Sequence, residues 1–350
     1  MAPSSLSSLS ESIGALPTGL REAILSWIET QPGGAGGWEL RIGRDAGRRG
    51  GRRRVILEAS GPDGRHLAIK AHASRRRNSG EYRALAAMAA AGAETAAPVH
   101  LDARGRFLAM EWIDGPRLSE LLGGPGREEM LLRAGLWLAA LHRPGRRLPL
   151  LRRAPPRAAL PLLKGEGAIG EALARLRRRQ RQQGGARGPV RLLHGDFHAG
   201  NLFMRDGRPV GFDREHDVYG PVQHDLAKFL VDLGQRRAEA AAEGSPWAGT
   251  GEEDRRRFFE GYGALMPENV AGLDLAEDRL LFRLWRRGVL RRGGSALEEL
   301  MRARGLLGND AGSRPGRLVQ GAGGADWVSD AEPGPRRGLV SLHPGKLTGG

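Results

Sequence analysis

The order in which strand-like and helical segments follow one another constrains the fold more than any other feature of the sequence. Short apolar or alternating runs, separated by turns rich in glycine, proline and aspartate, lie between residues 38 and 112. The alanine-rich stretch Glu81–Ala91 predicts one helix among them, and the arginine- and glycine-rich stretch Gly43–Arg54 predicts a loop. We therefore expect a five-stranded antiparallel sheet carrying one helix, with strands at Trp38–Ile42, Val55–Ala59, His66–Ala71, Pro98–Leu101 and Arg106–Trp112.

Beyond Leu118 the apolar residues recur at helical spacing, and the prediction changes to a mostly helical region. Three short strands are expected to interrupt it, at Val190–Leu193, Leu202–Met204 and Pro209–Phe212. Upstream of the sheet, Thr18 is expected to cap a short helix. The later helices are predicted at Arg127–His142, Ala168–Gln183, Asp225–Leu233, Asp254–Met266 and Leu275–Arg302.

These patterns divide the α+β chain into four predicted parts. An N-terminal tail and short helix occupy residues 1–37, and a sheet-bearing lobe occupies residues 38–113. A helical lobe follows over residues 114–304. Residues 305–350 are rich in glycine and proline and lack sustained periodicity, which predicts a disordered tail.

The composition excludes several classes of protein. Cysteine is absent, which removes disulfides, thiolate metal sites and cysteine nucleophiles. No apolar run reaches the ~18 residues that span a bilayer, and the first residues lack a secretory pattern, so we expect a cytoplasmic protein with no membrane partner. The net charge is +15, but the arginine runs carry no interleaved aromatic residues, so a nucleic-acid partner is not expected.

Lysine is scarce, since only four of the 55 basic residues are lysines and the rest are arginines. An ammonium group is a compact point charge and a guanidinium a planar fork, so a retained lysine raises the question of why an amine is needed. Lys70 ends a predicted strand, and Glu81 lies on the next helix, where the pair can neutralise phosphate oxygens. Lys228 is expected to have a structural role.

The segment from His194 to Asn201 predicts a polar loop between two apolar strands. Asp196 and Asn201 can converge on one site, where the aspartate accepts a proton from an attacking hydroxyl and the asparagine carbonyl holds a hard cation. Asp213 follows at the end of the next strand, in a position to hold Mg²⁺ against a polyphosphate. Together these residues indicate chemistry on a phosphate group.

This constellation resembles the aminoglycoside phosphotransferase and choline kinase family, whose members share the protein-kinase-like fold. The resemblance covers about residues 38–290. It implies a two-lobed fold with a small antiparallel β-sheet N-lobe and a mostly helical C-lobe. It also implies an ATP-dependent kinase that phosphorylates a hydroxyl group on an aminoglycoside-, aminoalcohol- or sugar-like small molecule. Further matches to the family are Ile69-Lys70, Leu138–His142, Gly220-Pro221 and Asp225–Ala227.

The resemblance assigns a role to each residue of the constellation. Asp196 would be the catalytic base that orients the acceptor hydroxyl. Asn201 and Asp213 would bind Mg²⁺. Lys70 would contact the α- and β-phosphates of ATP while it pairs with Glu81.

Other residues would support this machinery, again by resemblance. Backbone groups around Glu111 and Ile113 would meet the adenine ring of ATP. His194 would brace the loop, with His198 beside it. Glu215 would help to order the residues around the metal.

Two departures from the kinase pattern are visible. The stretch Gly43–Gly51, which should cover the nucleotide, lacks a Gly-x-Gly-x-x-Gly pattern. The tripeptide Asp213-Arg214-Glu215 replaces the Asp-Phe-Gly of protein kinases, which argues against a protein kinase regulated through an activation loop.

Two other functions remain open at this point. His194, Asp196 and His198 form a His-x-Asp-x-His string that fits a metal-dependent hydrolase. Alternatively, the chain is a catalytically inactive kinase-like protein that binds polyanions through its basic surface. The sequence leaves the identity of the acceptor and the oligomeric state unassigned.

Overall fold

The computed structural model describes residues 13–43, 46–49, 52–72, 74–143, 167–182, 190–214, 219–245, 247, 250–265, 267–290 and 295–308. The prediction of a disordered tail at 305–350 falls almost entirely outside the described residues. The described residues form a sheet-bearing N-lobe followed by a mostly helical C-lobe, which confirms the predicted α+β class and the order of its two lobes.

The N-lobe is built on an antiparallel sheet in which strands follow the order β1-β3-β4-β6-β5, with β2 as an additional partner of β3. The prediction of five strands is one short, because β2 lies inside the predicted loop Gly43–Arg54. Strand β3 extends further than predicted, and its backbone groups there pair with β2. The strands are β1 (Glu39–Ile42), β2 (Ala46–Arg49), β3 (Arg52–Ser60), β4 (His66–His72), β5 (Pro98–Leu101) and β6 (Leu108–Glu111).

The two faces of this sheet are covered by different helices. On one face, Ile69 and Ala109 pack with helix α1 (Thr18–Glu29) in a core of their own. On the other face, Ala68 and Met110 pack with helix α2 (Arg75–Ala90). Because side chains alternate along a strand, Lys70 shares the face of Ala68 and is directed toward α2.

Helix α1 begins differently from the prediction that Thr18 caps it. Thr18 is already helical, and the N-cap position is Pro17 without a side-chain cap. The carbonyl of Pro17 accepts the amides of Leu20 and Arg21, so the first turn closes one residue earlier. The apolar face is as predicted, because Ile24, Trp27 and Ile28 are buried.

The C-lobe helices pack closely enough to require glycine at one crossing. Gly135 of α4 lies against the backbone of Phe258 in α7, and Gly261 of α7 lies against the backbone of Leu132, so a Cβ at either glycine would clash. The helices are α3 (Leu118–Leu121), α4 (Arg127–Leu141), α5 (Gly167–Gln182), α6 (Gln223–Ala242), α7 (Gly251–Tyr262), α8 (Pro267–Leu290) and α9 (Ser295–Ala303).

Among its described residues, the C-lobe has four short strands: β7 (Val190–Leu192), β8 (Leu202–Arg205), β9 (Arg208–Gly211) and β10 (Tyr219–Pro221). Strands β8 and β9 form a hairpin, and β7 pairs with β10. The region predicted as a single helix at Leu275–Arg302 falls on α8 and α9, and residues 291–294 between these two helices lie outside the described part of the chain. No helix in the described part of the chain is long and apolar enough to cross a membrane.

The turn between β5 and β6 is fixed by Asp102. Its Oδ2 accepts the backbone amides of Arg104 and Arg106, each at 3.0 Å, and its Oδ1 accepts Nη2 of Arg106 at 2.8 Å. The side-chain hydrogen bond from Arg106 is the main reason why the pKa of Asp102 falls from 3.8 to about 2. The turn therefore holds Asp102 as a carboxylate.

We expect Asp102→Asn to lower the free energy of unfolding at neutral pH by about 1–2 kcal/mol, because the ionic acceptor is lost. The folded pKa lies below the unfolded one, so the carboxylate stabilises the protein fully above about pH 4 and loses that effect as the pH falls toward 2. Urea unfolding at pH 7, 4 and 3 measures the difference, with the exposed turn variant Asp206→Asn as control. A difference that does not narrow below pH 4 would contradict the assignment.

Candidate active site

The polar loop between β7 and β8 is held by side chains of helix α6. Asp225, which is fully buried, accepts the amides of His194 at 2.6 Å and Gly195 at 2.8 Å. Asp232, two turns further along the helix, accepts the amide of Ala199 at 3.1 Å. The loop backbone is thus fixed at three points by two carboxylates. No local pattern in the sequence indicates these contacts, although Asp225 belongs to a segment that resembles the family.

Asp196 and Asn201 are brought together by this loop, as the spacing predicts. Nδ2 of Asn201 donates to the carbonyl of Asp196 at 2.9 Å and lies 3.5 Å from Oδ2 of its carboxylate. The side-chain nitrogen of Asn201 is directed at Asp196, so its side-chain carbonyl oxygen faces away from Asp196. Such an oxygen is a suitable ligand for a hard cation. The carboxylate of Asp196 itself is 40% exposed and accessible to a small molecule.

The environment of Asp196 favours its ionised form. Burial raises the pKa of the Asp196 carboxyl group. His198 and Lys228 lower this pKa by more than burial raises it, so the pKa lies well below its ordinary range. Nε2 of His198 lies 3.7 Å from Oδ2, beyond hydrogen-bond distance, whereas Nζ of Lys228 lies 2.7 Å from Oδ1. An ionised carboxylate in this position can accept a proton.

Lys70 joins the N-lobe to the end of strand β9. Its side chain is 1% exposed, and Nζ lies 2.5 Å from Oε1 of Glu81 and 2.7 Å from Oδ1 of Asp213. His72 contacts the other oxygen of Glu81 at 2.8 Å. Burial raises the pKa of Glu81, but the charge of Lys70 and the hydrogen bond of His72 bring it below its ordinary value. The predicted Lys70–Glu81 pair is therefore present and is extended to Asp213.

The backbone positions Asp213 next to the loop. The amide of Phe212 donates to the carbonyl of Asn201 at 3.3 Å, so Asn201 and Asp213 lie at one end of the β8–β9 hairpin. Asp213 has a φ of 55°, a left-handed conformation that is uncommon outside glycine. Such strain is found where a side chain must be aimed at a particular point.

His194 is fully buried and braces the loop against the residue before Asp213. Its Nε2 lies 3.0 Å from the carbonyl of Phe212, which can only accept, so the proton is on Nε2. Burial lowers the pKa of His194 to about 4, and the ring is neutral at pH 7. Nδ1 of His198 accepts the amide of Gly200 at 3.1 Å. Glu215 lies outside the described residues.

These contacts weaken the interpretation of His194, Asp196 and His198 as a metal centre. The Nε2 atom of His194 is committed to a carbonyl group, and Nδ1 of His198 to a backbone amide. Among the described residues, no three histidine, cysteine, aspartate or glutamate side chains gather in a way that could hold a metal ion. A site of one aspartate, one asparagine and phosphate oxygens needs no such cluster.

The segment after β6 connects the two lobes and contains Glu111 and Ile113. The Trp112 amide donates to the carbonyl of His66 at 3.0 Å, which ties this segment to β4. The Glu111 carboxylate accepts from Arg205 of β8, and Arg205 also reaches Glu94 at 2.9 Å. The Glu111 side chain is therefore used to join the lobes, and its backbone amide donates to the carbonyl of Ala97 at 2.8 Å. Sequence reasoning missed Arg205.

Arg214 occupies the place where protein kinases have phenylalanine. It is 2% exposed; Nε donates to the carbonyl of Leu193 at 2.6 Å, and Nη1 donates to the carbonyl of Ala84 in α2 at 3.0 Å. A buried guanidinium thus links helix α2 to the residue before the polar loop. The arginine that replaces the phenylalanine of Asp-Phe-Gly therefore has a structural function in this chain.

Lys228, for which the sequence analysis expects a structural role, contacts the polar loop. Its ammonium group, on α6, donates to the carbonyl of Gly195 at 2.5 Å and to the carboxylate of Asp196 at 2.7 Å. It therefore belongs to the site. The scarcity of lysine in the chain is a signal that could have pointed to Lys228. Nothing in the sequence, however, indicates that α6 packs along the loop.

Several known proteins are similar to this chain in sequence or in structure. A methylthioribose kinase of Yersinia pestis is 38% identical over 71 residues, which cover 20% of this chain and 16% of that protein. Among solved structures, a choline/ethanolamine kinase family protein from Mesorhizobium loti has a TM-score of 0.54 at 16% identity, over 82% of this chain and 98% of that one. Amicoumacin kinase hAmiN, in complex with AMP-PNP, Ca²⁺ and Ami, has a TM-score of 0.53 at 16% identity, over 81% and 91% of the two chains.

The aligned part of this chain thus spans about one sixth of the curated relative, and the structural likeness establishes the fold. The family model described as "Phosphotransferase enzyme family" matches residues 49–271, which is more than half of the chain. This range contains the Lys70–Glu81–Asp213 cluster and the loop with Asp196 and Asn201. The chain belongs to the phosphotransferase enzyme family.

Proposed function

We propose that this protein transfers the γ-phosphate of ATP to a hydroxyl group of a small molecule. The observation that carries the proposal is the convergence of two clusters from distant parts of the chain. Lys70 and Glu81 of the N-lobe meet Asp213, and Asp196 with Asn201 lies at the same end of the β8–β9 hairpin. Catalysis of phosphate transfer depends mainly on positioning and charge neutralisation, which such a cluster provides.

The nucleotide would bind between the lobes. Backbone groups of Glu111 and Ile113 would meet the adenine ring, and the ammonium of Lys70 would contact the phosphates. Glu81 fixes that ammonium from a buried position at 2.5 Å. A lysine held in this manner loses little freedom when a phosphate binds, so its charge is effective in the cleft.

The donor set fits a magnesium ion. Asp213 offers carboxylate oxygens, and Asn201 offers a carbonyl oxygen because its amide nitrogen is turned toward Asp196. Hard oxygen ligands in small number, completed by phosphate oxygens and water, are the surroundings that Mg²⁺ prefers. Bound there, Mg²⁺ would neutralise negative charge on the phosphates.

Asp196 would orient the acceptor hydroxyl and take its proton. As the acceptor oxygen forms its bond to the γ-phosphorus, the bond between that phosphorus and the β–γ bridging oxygen breaks, and the electron pair leaves with ADP. The proton of the hydroxyl goes to the Asp196 carboxylate, whose low pKa keeps it ionised beforehand. The products are ADP and a phosphate monoester of the acceptor.

The acceptor belongs to the class of aminoglycoside-, aminoalcohol- or sugar-like hydroxyl compounds. Methylthioribose, named in the 38% identical relative, is the first compound to test. Aminoglycosides and aminoalcohols follow, because the structures with the same fold include a choline/ethanolamine kinase family protein and an amicoumacin kinase.

A screen for ADP release tests the proposed function and its dependence on a divalent cation. We expect ADP to form from ATP when an acceptor hydroxyl compound and Mg²⁺ are both present. Removal of the cation with EDTA should abolish ADP formation, and excess Mg²⁺ should restore it, because the positive charge that neutralises the phosphates comes from the cation and not from Asn201 or Asp213. Reactions without acceptor are the control. ADP formation that continues undiminished in EDTA would contradict the assigned metal site.

A further inference from the structure

Lys228 makes two contacts that distinguish it from the other residues of α6 at the loop. Its Nζ lies 2.5 Å from the carbonyl oxygen of Gly195 and 2.7 Å from Oδ1 of Asp196. The side chain is 27% exposed, so the ammonium lies at the rim of the site and remains accessible to solvent. Asp225 and Asp232 contact only the loop backbone on this side, at the amides of His194, Gly195 and Ala199.

These two carboxylates hold three amides of the loop backbone, and Lys228 holds one carbonyl, that of Gly195. What Lys228 adds is a bond to the reacting side chain. A carboxylate on a single Cβ–Cγ bond rotates broadly, since this terminal torsion has no sharp staggered minimum. A charge-assisted hydrogen bond to Oδ1 restricts the rotation and fixes the position of the other oxygen.

The remaining contacts of Asp196 leave Oδ2 less engaged than Oδ1. His198 Nε2 lies 3.7 Å from Oδ2, and Asn201 Nδ2 lies 3.5 Å from it. Both separations are too long for strong hydrogen bonds. Oδ2 is therefore the oxygen that can meet a hydroxyl group.

We propose that Lys228 is a positioning residue of the phosphate transfer: its ammonium group holds Oδ1 of Asp196 and thereby presents Oδ2 to the acceptor hydroxyl. This inference rests on the proposed function. Under this proposal, a residue of helix α6 orients the base, although it lies far from Asp196 in the sequence. Because geometry at the reacting atoms strongly affects rate, loss of this contact should lower kcat and leave the binding of ATP unchanged.

The absence of cysteine from the chain allows the ammonium to be removed and restored chemically. Lys228→Cys places one thiol in the protein. Its thiolate displaces bromide from 2-bromoethylamine, a sulfur–carbon bond forms, and bromide leaves. The product is a side chain as long as lysine that ends in an ammonium group, with sulfur in place of one methylene.

We expect Lys228→Met and unmodified Lys228→Cys to lower kcat by about 10²-fold, the order that a misplaced reacting group costs. The KM for ATP and the Tm should stay close to those of the unaltered protein. Alkylation of Lys228→Cys should raise kcat by about tenfold or more over the unmodified variant, to at least about a tenth of the kcat of the unaltered protein. Full recovery is not expected, because the new side chain contains sulfur in place of a methylene. Arg302→Cys, in an exposed ion pair on α9, is the matched control and should keep its kcat before and after alkylation.

Unaltered kcat in Lys228→Met would overturn the inference and leave the proposed function intact. A loss of kcat that alkylation of the cysteine variant does not reverse would also overturn it, because a purely structural contribution would then explain the loss. Failure of the unaltered protein to phosphorylate any acceptor would instead contradict the proposed function, and this inference with it.

Discussion

Asp196→Asn is expected to reduce kcat for phosphate transfer by about 10²- to 10⁴-fold, the contribution of a positioned general base. The substitution keeps the size of the side chain, but an amide oxygen is too weak a base to take the acceptor proton. The loop should persist, because Asp225 and Asp232 hold its backbone amides. ATP affinity should be nearly unchanged, since Lys70 and Asp213 are the proposed phosphate and metal contacts.

Steady-state kinetics and calorimetric titration with a non-hydrolysable ATP analogue separate these two effects. Asp206→Asn is a matched control, because Asp206 lies in the exposed β8–β9 turn with a φ of 50°, a conformation that asparagine also adopts. It should keep the kcat of the unaltered protein. Full turnover in Asp196→Asn would show that another group serves as the base.

Lys70→Met is expected to affect stability and nucleotide binding together. Lys70 is 1% exposed and lies between two carboxylates, those of Glu81 and Asp213. Removal of the ammonium leaves Glu81 buried beside another carboxylate, and breaking a buried ion pair in this way costs about 3–5 kcal/mol. The partial exposure of Asp213, at 27%, places the expected loss near the lower end, at about 3 kcal/mol.

Denaturant unfolding measures the loss of stability, and the KM for ATP together with kcat measures the loss at the site. The double variant Lys70→Met/Glu81→Gln should recover part of the stability, since the neutral amide costs less to bury, and should recover no activity. A Lys70→Met protein with unchanged stability and unchanged ATP kinetics would contradict both assignments to this lysine.

The strands of the N-lobe sheet were predictable because their signals are local. Alternating apolar residues and a Gly-Pro-Asp-Gly turn identify β4 nearly to the residue, and Pro98–Leu101 matches β5. Strand β2 was missed, since its composition favours a loop and only pairing with β3 makes it a strand. Helix α2 begins earlier than the predicted Glu81–Ala91, because the polar residues from Arg75 onward carry little apolar periodicity.

Only part of the site could be predicted from the sequence, because only some of its residues carry a local signal. Lys70, Glu81, Asp196, Asn201 and Asp213 have characteristic residue types at characteristic spacings, and the structure brings them to one end of the β8–β9 hairpin. The roles assigned to them, and to Glu111, Ile113, His194, His198 and Glu215, stay predictions.

The residues that hold the site in place could not be recognised in advance. Arg205 meets Glu111 across 94 positions, and Arg214 meets Ala84 across 130. Lys228 and Asp225 act through the packing of α6 along the loop. Contacts of this kind depend on how the elements pack, and no periodicity along the chain indicates which residues will face one another.

The most direct test of the proposed kinase activity follows both products by ³¹P NMR. The protein is incubated with ATP, Mg²⁺ and each acceptor compound, beginning with methylthioribose. The proposed function predicts that, with an active acceptor, a new phosphate monoester signal and the signals of ADP grow in equal amounts, and that both grow at least about 10²-fold more slowly with Asp196→Asn. Release of inorganic phosphate without any phosphate monoester, whichever acceptor is present, would contradict it.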